Sequence, residues 1–155
     1  MQDKASILQL LTPKAALKAI TPEAKSCVPK TCLEHGFIPI THFPFNVGRE
    51  SRVQSKDGKT TRIERVKFTD HEPNNDLYLI DANRPLNISR EHFTIVRDAN
   101  GYSLIDRMSA CGTSVGSKQI GGRDSGGKTQ LEDGDIIHVG GEETPYQFQF
   151  ICFES

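Results

Sequence analysis

The sequence predicts a mainly β chain, an antiparallel sandwich of short strands behind a short helical start. Three observations carry that prediction. Glycine is absent from residues 1–35, while ten of the 13 glycines fall after residue 100. From residue 36 onward, short runs of Ile, Leu, Val, Phe and Tyr recur at roughly ten-residue spacing. Between them lie Asp, Asn and Gly clusters of the kind that turn a chain back on itself.

The composition bounds what this fold does. The chain has 155 residues, enough for one domain, with 35% hydrophobic and 25% charged residues and a net charge of −1. A generic nucleic-acid binder would show a basic excess. The longest apolar stretches fall far short of the ~20 residues a membrane helix needs. Met1 to Lys14 lacks a basic start, a long apolar middle and a small-residue cleavage site, so no export signal is expected. Cys27, Cys32, Cys111 and Cys152 form no dense framework and read as free thiols of a reducing compartment, which makes a cytoplasmic location the expectation.

Residues 1–35 are expected to be a helical N-terminal extension, and residues 36–155 the sandwich. Ile7, Leu8, Leu10 and Leu11, followed by Ala15, Ala16, Leu17, Ala19 and Ile20, suggest two short helices or one bent helix. Thr12-Pro13 and Thr21-Pro22 each place a capping hydroxyl before a proline suited to a first helical position. The apolar face of these helices is expected to dock on the domain.

The expected strands start at Phe37-Ile38-Pro39-Ile40. Leu77 to Ile80 follows a Pro-Asn-Asn turn, and Phe93 to Val96 and Tyr102 to Ile105 flank the turn Asp98-Ala99-Asn100-Gly101. Ile136 to Val139 comes after Asp133-Gly134. The last strand is Phe148 to Phe153, with Phe148, Phe150 and Cys152 on one face. Ser51 to Thr61, centred on Asp57-Gly58, reads as an exposed hairpin inserted between two strands. Residues 49–67 carry seven basic and three acidic residues, and residues 132–155 six acidic and no basic ones. A solvated hairpin and an acidic last strand explain this, and so does a positive field around Arg49 that attracts an anion.

Gly122 to Thr129 matches the P-loop pattern letter for letter. That loop needs a helix after it to receive phosphate, and Gln130 to Asp135 reads as a turn into a strand. A glycine-rich hairpin loop is therefore expected. Cys27, Cys32 and His35, with His42 as a fourth group, have atypical spacing for zinc, and no metal is expected.

Four segments in order carry the functional signal. They are Asn46-Val47-Gly48-Arg49-Glu50, Asn87-Ile88-Ser89-Arg90-Glu91-His92-Phe93, Asp106-Arg107-Met108-Ser109-Ala110-Cys111-Gly112-Thr113, and Leu131 to Gly140 with its Glu-Asp-Gly-Asp-Ile core. Together they resemble the forkhead-associated (FHA) domain, over about Gly36 to Phe153. The resemblance implies a β-sandwich of about eleven strands that binds phosphothreonine peptides through loops at one end. It implies a phosphate held by Arg49, Ser89 and Arg90, whose guanidinium forks and short hydroxyl suit a dianion. Ala110 and Cys111 then form the peptide-contact loop, and Gly48, His92, Asp106 and Gly112 support the site. The partner implied is a threonine-phosphorylated protein or peptide downstream of a Ser/Thr kinase, with no cofactor, nucleic acid or membrane.

Taken singly, Arg49 reads as a surface cation and Ser89 as a turn hydroxyl. The order of the four segments is what lifts them. The family's Asn before Gly-Thr is replaced here by Cys111, a poor hydrogen-bonding substitute. One alternative is therefore an FHA-fold interaction module that has lost phosphate dependence. A redox-sensitive loop at Cys111 and self-docking of a phosphorylated Thr12 or Thr21 are minor readings. A Cys111–His92 nucleophilic enzyme has no visible orienting group, so no catalysis is expected.

Overall fold

A computed structural model describes residues 3–50, 53–56, 59–62, 74–83, 85–123 and 125–154. In chain order the elements are α1 (Lys4–Leu11), β1 (Ala15–Ala19), α2 (Pro22–Cys27), a single 3-10 turn, β2 (Phe37–Ile40), β3 (Phe45–Arg49), β4 (Val53–Lys56), β5 (Lys59–Arg62) and β6 (Leu77–Leu79). They continue as β7 (Phe93–Asp98), β8 (Gly101–Asp106), β9 (Thr113–Val115), β10 (Lys118–Ile120), β11 (Gly127–Leu131), β12 (Ile136–Val139) and β13 (Gln147–Cys152).

Eleven of these strands form two sheets, in the orders β10-β9-β12-β13-β1-β2 and β11-β8-β7-β3-β6. The strands predicted from alternation lie where expected, and β4 pairs with β5 as the expected hairpin, Val53 opposite Arg62. Its centre, Asp57-Gly58, lies outside the described residues. Between the sheets Phe93, Phe148, Phe150, Leu104, Ile95 and Leu17 are fully buried. Each side chain of this kind contributes about 1.5–3 kcal/mol by leaving water. Among the described residues the pairing is antiparallel except for β3 with β6, which run parallel with Val47 opposite Leu77. The long connection through the β4–β5 hairpin makes that crossing possible.

The helical reading of Ala15 to Ile20 is corrected. Ala15–Ala19 is strand β1, paired with β13 through Leu17 opposite Phe150 and with β2 through Leu17 opposite Ile38. Alanine favours helix only by a few tenths of a kcal/mol per residue, and two flanking strands outweigh it. Thr12 is likewise no N-cap. It closes α1, its hydroxyl donating to the Leu8 carbonyl at 2.6 Å, and Pro13 cannot continue the helix. Thr21 caps α2 as expected, accepting the Ala24 amide at 3.2 Å.

Among the described side chains of α1, the apolar Ile7, Leu8 and Leu11 do not dock as expected: they are 43%, 62% and 68% exposed. In contrast, α2 does pack, burying Ala24 and Cys27. The P-loop look-alike starts two residues after β10 and runs into β11, and among the described residues no helix follows it.

Candidate functional site

Three loops meet at the end of the sandwich where β3 and β8 finish and β7 begins. Arg49 is the last residue of β3 and only 8% exposed. Its guanidinium is held by backbone carbonyls, Nε donating to Ile88 at 2.8 Å and an Nη to Glu50 at 3.2 Å. The segment that carries Ser89 and Arg90 crosses the end of β3. The Arg49 amide donates to the Ser89 carbonyl at 3.0 Å, and the His92 amide to the Val47 carbonyl at 3.0 Å.

The crossing is close enough to require glycine at position 48. A Cβ there would lie 2.0 Å from the Arg90 carbonyl oxygen and 2.5 Å from the Asn75 amide nitrogen. Both are far inside contact distance, so any side chain would displace the turn.

His92 ties this segment to the loop after β8. It is fully buried. Its Nδ1 accepts the Ser89 amide at 2.9 Å, so the proton sits on Nε2, which donates to the Gly112 carbonyl at 2.8 Å. Burial is the main reason its pKa falls below the ordinary histidine value; the Gly112 bond and the Asp106 and Asp81 charges oppose that shift. The imidazole is thus a neutral strut.

Asp106, also buried, organises the second loop. Its carboxylate accepts the Ser109 amide at 2.9 Å, the Ser109 hydroxyl at 2.6 Å and the Thr113 hydroxyl at 2.7 Å. The Ser109 oxygen in turn accepts the Gly112 amide at 3.0 Å. Gly112 has a φ of +85°, and a Cβ there would meet the Gln119 side chain at 2.1 Å. The positive φ calls for glycine, whereas the end of the flexible Gln119 side chain can swing aside. The result is a rigid loop with Ala110 and Cys111 exposed at its tip.

The two loops also touch directly. The Ser89 Oγ accepts the Ala110 amide at 3.0 Å. That bond uses an oxygen lone pair, and among the described residues no acceptor takes the hydroxyl hydrogen of Ser89. The Cys111 sulfur lies 3.6 Å from the Leu86 carbonyl oxygen, a weak contact for a thiol.

Arg49, Ser89, His92, Asp106, Ala110 and Gly112 therefore belong to one hydrogen-bonded cluster. Arg90 joins it through its backbone, its carbonyl accepting the Asn75 side-chain amide at 2.7 Å. Sequence reasoning missed Asn75 and Arg107: the Arg107 guanidinium donates to the Asn75 side-chain oxygen at 2.5 Å and to the Asn74 carbonyl at 3.0 Å. The Asn-Asn pair was legible only as a turn. Asp81 was missed as well, although an Asp two residues before Asn83 is the pattern of an Asx turn, and its carboxylate does accept the Asn83 amide at 2.9 Å.

Among the described residues no three His, Cys, Asp or Glu side chains converge as a metal site. Cys27, one of the residues weighed above as a metal ligand, is buried, and that burial pushes its thiol up to about 12. Also among the described residues, no helix is long and apolar enough to cross a membrane.

Comparison with known proteins gives a consistent picture. The profile of the family described as FHA domain matches residues 47–140. No curated protein matches the sequence. Twenty solved chains resemble the structure. One is the solution structure of the FHA domain of an Arabidopsis thaliana hypothetical protein, at a TM-score of 0.55 and 19% identity, covering 94% of this chain and 91% of that one. Another is Mycobacterium tuberculosis EmbR in complex with a low-affinity phosphopeptide, at a TM-score of 0.52 and 22% identity. It is covered over 96% of this chain, which spans 28% of EmbR.

Proposed function

The chain belongs to the FHA domain family, and on that premise we propose that it is a non-enzymatic reader of phosphothreonine peptides in which Arg49, Ser89 and Arg90 hold the phosphate. The observation that carries this reading is the state of Arg49. A guanidinium that is nearly buried at a strand end, braced by the Ile88 and Glu50 carbonyls, is oriented before any ligand arrives. Fixing it in advance removes an entropy cost from binding.

Ser89 supports the same reading. Its oxygen is spent on Ala110, which leaves its hydrogen to donate to a phosphate oxygen. A charge-assisted bond of this kind is worth roughly 1.5–3 kcal/mol. Arg90, next in the chain, adds a second cation on the same turn. The phosphopeptide bound to EmbR is a ligand of the same class. The partner is then a threonine-phosphorylated protein, and a Ser/Thr kinase acts upstream.

Binding of a degenerate phosphothreonine library, against phosphoserine and unphosphorylated versions, tests this reading. Phosphothreonine-dependent binding that disappears in Arg49→Ala is the expected result. Equal binding of all three libraries would favour an interaction module of the same fold without phosphate dependence. The exposed thiol of Cys111 at the loop tip is the observation on that side.

A further inference from the structure

The loop between β6 and Ser89 is shaped by a single carboxylate. Asp81 is the second residue beyond β6. Its Oδ2 accepts the amides of Asn87 at 2.6 Å and Ile88 at 2.8 Å. Its Oδ1 accepts the Asn83 amide at 2.9 Å and the Tyr146 hydroxyl at 2.8 Å. Tyr146 is buried at 2% exposure, and its oxygen also accepts the Ala82 amide at 3.2 Å. Among the described residues of 81–88, only Ile88 is buried. Hydrogen bonds rather than packing therefore set the course of this loop.

The bonds lead straight to the proposed phosphate ligand. Ile88 gives its amide hydrogen to Asp81 and receives the Arg49 Nε hydrogen on its carbonyl, at 2.8 Å in each case. The next residue is Ser89, whose carbonyl accepts the Arg49 amide. We propose that Asp81, anchored by the buried Tyr146 hydroxyl, is a positioning residue that fixes the Arg49 guanidinium through the backbone of Ile88. This deepens the phosphate-binding reading above and rests on it.

The chemistry requires a carboxylate. All four partners of Asp81 are donors, and an asparagine would turn an NH2 group toward N–H hydrogens. The loop is also closed on its far side. A Cβ at Gly140 would lie 2.7 Å from the Asn87 carbonyl oxygen, so the loop has no room to relax in that direction.

The test uses the full chain, with Asp81→Asn and the milder Tyr146→Phe, which keeps the ring in the core and removes only its hydroxyl. Two quantities are read: affinity for a phosphothreonine peptide, and hydrogen exchange at the Arg49 Nε–H by NMR. Both variants are expected to lose affinity, by about tenfold for Asp81→Asn, and to exchange the Arg49 Nε–H faster while the core amides of β7 and β8 stay protected. A merely structural role would raise exchange across the sandwich and not single out Arg49. Unchanged Arg49 exchange in both variants overturns the inference, and so does altered exchange with undiminished affinity. If Asp81→Asn fails to fold, Tyr146→Phe decides by the same criteria. If the wild-type chain binds no phosphothreonine peptide, the phosphate-binding reading and the positioning role in binding both fall. The exchange measurement still separates that failure from a failure of the Asp81–Arg49 link itself.

Discussion

The Ser89 side-chain oxygen accepts the backbone amide of Ala110 at 3.0 Å, joining the turn before β7 to the loop after β8. Ala110 is exposed, so water can take over its amide if the serine is lost. Ser89→Ala should therefore change stability by less than about 1 kcal/mol. Peptide affinity should fall roughly tenfold or more, because the phosphate loses a donor. Denaturant melts beside a binding isotherm check the pair of outcomes.

Gly48 gives the opposite pattern, with stability lowered and binding lost together. A methyl group 2.0 Å from the Arg90 carbonyl oxygen must push the turn off the end of β3. Gly48→Ala should cost about 1–3 kcal/mol of stability, the usual range for overpacking, and abolish measurable peptide binding. A wild-type melting midpoint in Gly48→Ala would contradict the close crossing.

His92 makes the site sensitive to acid. Its pKa in the fold lies below the ordinary value of 6.5, chiefly because it is buried. Between the folded value and 6.5 the unfolded chain binds more protons, so stability rises with pH. The contribution is complete above about 6.5 and drains away as pH falls through the folded value. Protonation also removes the Nδ1 lone pair that accepts the Ser89 amide. His92→Gln should flatten this part of the stability–pH profile, measured by chemical denaturation from neutral pH downward.

Much of this was legible in the sequence, and what was not has physical causes. Strands β7, β12 and β13 announce themselves because each buries every second residue along its buried stretch, and β8 through its apolar Tyr102, Leu104 and Ile105 after a turn. Ala15–Ala19 does not, since alanine is a helix former in isolation and only β13 and β2 on either side hold it extended. The residues proposed to hold a phosphate by charge stood out through motif order. Those that act through the backbone did not: Asn75 supports Arg90 through a carbonyl and Asp81 supports Ile88 through an amide. Such contacts are made to backbone groups, which every residue type carries, so the supported position shows no residue type to read.

Cys111 sits at the loop tip with its sulfur against the Leu86 carbonyl, where it offers a bound peptide no strong donor or acceptor. Cys111→Asn should tighten phosphothreonine-peptide binding severalfold, in line with about 0.5–1.5 kcal/mol for one added hydrogen bond, and leave the preference for phosphate intact. Isothermal titration of both proteins with the same peptide measures it.

In the proposed function, phosphate is read at the end of the sandwich formed by Arg49, Ser89 and the loop tip at Ala110 and Cys111. The most direct measurement is an NMR titration of isotope-labelled protein with a phosphothreonine peptide and its unphosphorylated twin. Only the phosphorylated peptide should shift the amides of Arg49, Ser89, Arg90 and Ala110, leaving undisturbed the open groove at the far end of β7 and β8, lined by Arg97, Tyr102, Glu132 and Asp133. Equal shifts with both peptides, or shifts centred on that far groove, would contradict it.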